Sequence, residues 1–228
     1  MLMRASEILS PNGDGQFDSA AVEVSSNVAW ELHVGDHKIH DGQGDAKGES
    51  AIPWKGIGVR ADGQTGTLEH GRHRLRLHAT KAAVEDQYAT VAIDLKGPEV
   101  TDLTFKQGQL DAERRSYAFT GTATLKDVGF SEVDPDSIQV TVDDAKVHHD
   151  LEATSGKLTF KGTVPSKDQV KVTITAKDKV ANEGTSEQGF NLDLAGPVIS
   201  NIVLEKGSRT PGSREIPVTG TALIDDGD

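Results

Sequence analysis

Apolar and polar residues alternate along much of this chain. In "VKVTITAK", Val170, Val172, Ile174 and Ala176 share one face while Lys171, Thr173, Thr175 and Lys177 share the other, the period of two that a half-buried strand produces. The same alternation runs through Trp30, Leu32 and Val34, through Val91, Ile93 and Leu95, through Tyr117 and Phe119, and through Ile138, Val140 and Val142. No apolar run keeps helical spacing beyond two turns. The segments "DGQGDAKGE" and "SRTPGSRE" are turns or loops by their Gly, Pro, Asp and Ser content. Short strands separated by turns predict an all-β chain of antiparallel sandwiches.

The pattern also recurs. "IDLKGPEVTDLTF" at 93–105 and "LDLAGPVISNIVL" at 192–204 read as one junction written twice, and "TGTATL" from Thr120 falls opposite "TGTALI" from Thr219. Both pairs are offset by 99 residues, about the length of one immunoglobulin-like sandwich. The expected organisation is a first sandwich over 1–96, a second over 97–195, and the opening strands of a truncated third over 196–228. Because an incomplete sandwich exposes unpaired strand edges, the chain is expected to be a fragment. Short "GP" junctions at Pro98 and Pro197 should stiffen the connections.

Composition narrows the function classes. With 36 acidic against 24 basic residues the formal charge is −12, so nucleic acid, which is bound mainly through Lys and Arg, is not an expected partner. Only 4% of residues are aromatic, so the cores should be built largely from Val, Ile, Leu and Ala. The absence of cysteine removes disulfides and thiolate chemistry. The opening "MLMRASEILSPNGDG" lacks the apolar run of a signal peptide, and no segment approaches a membrane span. Membrane insertion is therefore not expected, and the repeat favours an internal piece of a longer exported polypeptide over a cytoplasmic protein.

Candidate chemistry is sparse. The stretch "SPNGDGQFD" offers oxygens at alternate positions, Asn12, Asp14, Gln16 and Asp18. These are the candidate ligands of a calcium ion, since calcium gathers six to eight oxygens and glycines allow the tight backbone. The same residues also read as a turn in which Asp14 accepts local N–H groups. A second calcium possibility lies at the junctions, where Asp94 and Asp193 precede the "GP" pairs and Asp178 ends a neighbouring strand; these acids equally read as solvated. The eight histidines do not converge at zinc spacing. Arg72, Arg74 and Arg76 form a basic stripe, either an outer face paired to neighbouring acids or a contact for an anionic glycan or acidic module. No nucleophile elbow, Walker loop or HExxH motif occurs, so catalysis is not expected.

The opening "SPNGDGQFDSAAVEV", the mid-unit "IPWKG" at 52–56, the late strand "LEHGRHRLRLHA" at 68–79 and the closing "VAIDLKGP" together resemble one bacterial module. It is similar to the immunoglobulin-like domain of the flagellar hook-cap protein and to the fibronectin type III-like domains of cell-envelope subtilisin-type proteases of the lactocepin kind. Lys55 stands where that group has Asp, and His73 where it has Tyr. "AKDKVANEG" at 176–184 resembles a strand end common in bacterial immunoglobulin-like repeats, with Asn182 retained. The resemblance implies a non-catalytic spacer, stalk or accessory segment of a larger secreted or cell-surface bacterial protein, such as an envelope protease or adhesin, whose partners are its adjoining domains. The alternative is an adhesion module binding carbohydrate or protein, including a cell-surface glycan or protein. That reading needs an exposed aromatic platform, whereas Trp30 and Trp54 both fit core positions.

Overall fold

The computed structural model describes residues 1–43, 49–81, 83–194, 198–212 and 214–225. The Pro197 junction and the middle of the "DGQGDAKGE" loop fall outside the described residues. The described chain is strand and turn throughout apart from one short 3-10 turn at Pro135–Ser137, as the alternation predicts.

The first unit contains β1 (Leu2–Ala5), β2 (Ile8–Leu9), β3 (Ala20–Ser25), β4 (Trp30–Val34), β5 (His37–Gly42), β6 (Glu49–Trp54), β7 (Ile57–Val59), β8 (Thr65–Thr67), β9 (Gly71–Ala79) and β10 (Gln87–Ile93). One sheet has the order β1-β3-β6, a second β2-β10-β9-β4-β5, and β7 pairs with β8 in a two-stranded sheet. All pairings are antiparallel except the short parallel contact of β2 with β10. Val22, Val24 and Ile52 from the first sheet meet Leu32, Leu75, Leu77, Val91 and Ile93 from the second in a single core. Each such side chain contributes about 1.5–3 kcal/mol when fully buried. Both tryptophans belong to this core, Trp30 at 5% and Trp54 at 3% exposure, and the Trp54 indole N–H donates to the carbonyl of Ile57 at 2.9 Å. His73, on the same face of β9 as Leu75 and Leu77, is half-buried and hydrogen-bonded to the carbonyl of Glu69 at 2.9 Å.

The second unit contains β11 (Glu99–Asp111), β12 (Ser116–Lys126), β13 (Gln139–Val142), β14 (Ala145–Lys146), β15 (His148–Glu152), β16 (Lys157–Pro165), β17 (Gln169–Lys177) and β18 (Glu183–Asn191). Its sheets run β11-β12-β16-β15 and β14-β13-β17-β18. Val170, Val172, Ile174 and Ala176 of β17 all point into its core. This core departs from the low aromatic content of the chain: four of the six phenylalanines are concentrated in it. Phe105 stacks on Phe119 at 4.9 Å and on Phe190 at 5.4 Å, and Phe160 leans on Phe119 at 6.4 Å. The Phe160 ring lies where any side chain on Gly121 would be.

A final hairpin, β19 (Val198–Lys206) with β20 (Val218–Asp225), repeats the β11–β12 hairpin in detail. Its register shifts between Ser200 and Val203, as the earlier hairpin shifts between Thr101 and Thr104. Asn201 and Asp102, 99 residues apart, both adopt a left-handed backbone, with φ of 50° and 52°. The surroundings differ, however. Phe119 and Leu125 are each 2% exposed, whereas Val218 and Ile224 at the same repeat positions are 59% and 65% exposed.

Candidate functional site

The opening loop folds onto itself. Asp18 accepts the N–H groups of Gly13 and Gly15, each at 2.8 Å, and Asp14 accepts that of Gln16 at 2.8 Å. Asn12 takes the N–H of Asp14 at 3.0 Å, and its own amide donates to the Asp14 carboxylate at 3.1 Å. These are the bonds of a turn, made possible by Gly13 and Gly15, both at φ of 84°. Asn12, Asp14 and Gln16 are exposed and Asp18 is half-buried. The four candidate calcium ligands therefore sit in one loop, with three of them, Asn12, Asp14 and Asp18, already acting as acceptors for the loop backbone.

A different set of acids converges where the first two sandwiches meet. Asp94 directly follows β10, Asp127 directly follows β12 and Asp178 directly follows β17, so three strand ends deliver them to one place. One carboxylate oxygen from each lies within 4.8 Å of the others, and among the described residues this is the only such grouping of three or more metal-capable side chains. Asp94 is completely buried and Asp178 is 2% exposed. Among the described residues neither has a Lys or Arg within ion-pair distance, and Asp94 has only His70, at 3.5 Å.

Burial of a carboxylate is tolerated where hydrogen-bond donors replace water. Asp94 accepts from the backbone N–H of Phe130 at 2.7 Å and of Ser131 at 3.0 Å, both across the junction, and from Lys96 at 3.3 Å. Asp178 accepts from the N–H groups of Val180 and Asn182 at 2.9 and 2.8 Å and from the Asn182 side-chain amide at 2.9 Å. Gly129 is required here because a side chain on it would overlap the Asp94 carboxylate. Asp127 is only partly buried. Burial pushes its carboxyl above the ordinary Asp range and the charges of Asp94 and Asp178 push the same way, against the N–H of Gly129, which favours the anion.

Asn182 ties the acids to the first sandwich. Its amide nitrogen donates to the carbonyl of Asp94 at 3.2 Å, and its amide oxygen accepts from the hydroxyl of Ser10 at 2.8 Å and from Asn12 at 3.3 Å. His70 stacks on Phe130 at 4.9 Å across the same seam. Backbone joins backbone as well: a side chain on Gly97 would overlap Glu183, and one on Gly184 would overlap the carbonyl of Pro98. Chemically the site is a buried polar joint. Its three carboxylates could supply three of the six to eight oxygens that calcium takes.

The junction reading of the sequence thus separates into parts. Asp94 and Asp178 do come together, while Asp193 lies apart from them, its N–H donating to the Gln107 side chain at 2.7 Å. Asp127 is the member the sequence reading missed. A signal for it exists: the 99-residue repeat carries Asp at 94 and 193 and again at 127 and 226. The histidines remain dispersed among ordinary partners, His33 with Glu31 at 3.1 Å and His40 against Trp30 at 5.8 Å.

No protein-family model and no curated protein matches the chain. Among solved structures, a β-glycosidase from Bacteroides vulgatus is similar over 81% of this chain and 24% of its own length, at 10% identity and a TM-score of 0.26. A glycosyl hydrolase family 2 member from Bacteroides cellulosilyticus is similar over 78% of this chain and 25% of its own, at 14% identity and a TM-score of 0.24. Neither likeness assigns a family. The chain spans about a quarter of the length of each of these two proteins. No helix is long and apolar enough to cross a membrane.

Proposed function

We propose that this chain is a non-catalytic spacer in a larger secreted or cell-surface bacterial protein, with its first two sandwiches locked together as one stiff unit. The observation that carries this reading is the buried joint at Asn182, which hydrogen-bonds Ser10 and Asn12 of the first sandwich, the backbone of Asp94 at its end, and Asp178 of the second. A flexible linker would leave such polar groups to water. Here all of them but the exposed Asn12 are buried, and separating the sandwiches would break the bonds of Asn182 to Ser10 and to the backbone of Asp94. Both tryptophans are interior, which leaves the carbohydrate alternative without its aromatic platform at those positions.

Stiffness can be measured directly. Spin labels on an exposed position of each sandwich, such as Glu23 and Lys161, should give one narrow distance distribution in the unaltered protein. Asn182→Ala should broaden it while both sandwiches stay folded. A distribution already broad in the unaltered protein, or unchanged by Asn182→Ala, counts against the locked spacer.

A further inference from the structure

The outer face of β9 carries Arg72, Arg74 and Arg76 in alternate positions. Within β9, only residues 75–79 have β4 beside them, because β4 ends at Val34 opposite Leu75. On the other side β10 pairs with the strand from Gly71 to Leu77. Gly71–Arg74 therefore presents a free strand edge among the described residues. A notch of about 480 Å³ lies beside it, lined by Val34, Asp36, Val59, Leu68, Arg72 and Arg74 among others.

Arg72 and Arg74 are held but not neutralised. The Arg74 guanidinium lies 3.7 Å from the centroid of the Tyr88 ring, and that of Arg72 lies 5.1 Å from Phe130. Stacking of this kind fixes the guanidinium plane and leaves its in-plane N–H groups pointing outward. Neither Arg72 nor Arg74 has a carboxylate within ion-pair distance among the described residues, whereas Arg76 has Asp86 at 4.0 Å. In the same cross-strand row, the Arg76 Nε and the His33 Nδ1 are buried without a hydrogen-bond partner. One acid, Asp36, stands on the rim of the notch. On a chain whose formal charge is −12, this stripe is a local reversal of sign.

We infer that the β9 edge at Arg72–Arg74 is a docking site for an extended acidic polypeptide segment with Asp or Glu at alternate positions. Alternate residues of a strand are about 6.6–6.8 Å apart, so a second strand laid along β9 repeats its carboxylates at the spacing of the arginines. The edge backbone supplies ladder hydrogen bonds, and directly opposed charges supply the selection. Exposed Tyr88 and Val59 also line the notch. This inference does not rest on the spacer reading: of the contacts it uses, only that of Arg72 with Phe130 crosses the junction, while the free edge, the notch and Arg74 belong to the first sandwich alone.

The test is a titration of the isotope-labelled 228-residue protein with an acetylated, amidated peptide of alternating Glu and Thr. Amide shifts should cluster at Gly71–Arg76 and at Gly35–Asp36, and binding should weaken several-fold between about 50 and 300 mM salt. Arg72→Glu with Arg74→Glu should lower affinity at least tenfold while leaving the melting curve in place; Arg72→Gln with Arg74→Gln serves if the charge reversal disturbs folding. Three results would overturn the inference: equal binding of the matching Gln–Thr peptide, unchanged affinity in both double variants, or shifts centred elsewhere. Binding of oligogalacturonate without binding of the Glu–Thr peptide would overturn it too, in favour of an anionic glycan.

Discussion

The opening loop and the sandwich junction both gather acids, and they treat them in opposite ways. In the loop, Asp14 and Asp18 bond N–H groups within a few residues of themselves and keep contact with solvent. At the junction, Asp94, Asp127 and Asp178 arrive from strand ends far apart in the chain, two of them fully removed from water. Density of acids along a sequence therefore says little about a site. Convergence and desolvation decide it, because an exposed carboxylate costs nothing to leave in water while a buried one must be matched or it destabilises the fold.

Substitution should separate the two regions sharply. The largest effect is expected for Asp178→Ala, which strands the N–H groups of Val180 and Asn182 and the Asn182 amide in a buried place. Each orphaned donor costs about 1–3 kcal/mol, offset in part by relief of repulsion, so a net loss of about 3 kcal/mol is expected. For a sandwich of this size that is on the order of 15 °C in the thermal midpoint followed by circular dichroism. Asn182→Ala should cost about 2 kcal/mol, because it removes both the bonds across the seam and the donor to Asp178. A loss under about 1 kcal/mol for either would show that the joint is not sealed from water.

The loop should respond far less. Asp18→Ala frees the N–H groups of Gly13 and Gly15, but water replaces the carboxylate there. The expected cost is about 0.5–1 kcal/mol, read from the same thermal midpoint. If Asp18→Ala proved as damaging as Asp178→Ala, the contrast between local turn and buried joint would fail.

What the sequence made legible follows the range of the interactions involved. The strands were readable because alternation is local: the buried face of β17 is the set Val170, Val172, Ile174 and Ala176 named from the pattern alone. The 99-residue repeat was readable for the same reason, and the shared bulge at Asp102 and Asn201 shows it in the backbone. The junction was only half readable. Pro98 drew attention to it, yet the close packing depends on Gly97 and Gly184, and Asn182, visible as a motif residue, gave no hint of its partners 170 and 172 positions away. Asp127 was missed because its neighbours are set by the meeting of two sandwiches, which alternation along one strand does not encode.

The smallest predicted effect bears on Asp127, the only one of the three acids that is not fully buried. Asp127 is raised by burial first, with Asp94 and Asp178 adding repulsion. A carboxyl raised in the folded state binds its proton more tightly there than in the unfolded chain, so stability falls as pH climbs from the ordinary Asp value of about 3.9 through the raised one. Above the raised value that cost is fully present. Asp127→Asn removes the charge while its side-chain oxygen can still accept from Gly129, so in chelator at pH 7 the variant should be more stable, by on the order of 0.5 kcal/mol after solvent screening. The gap should close as pH falls below the ordinary Asp range, where both proteins are uncharged at this position. A variant less stable than the parent at pH 7 in chelator would overturn the repulsion. Repeating the pair in millimolar calcium tests the other use of the triad: an ion held among the three carboxylates would reverse the sign, and an unchanged difference would leave Asp94, Asp127 and Asp178 as a joint of hydrogen bonds alone.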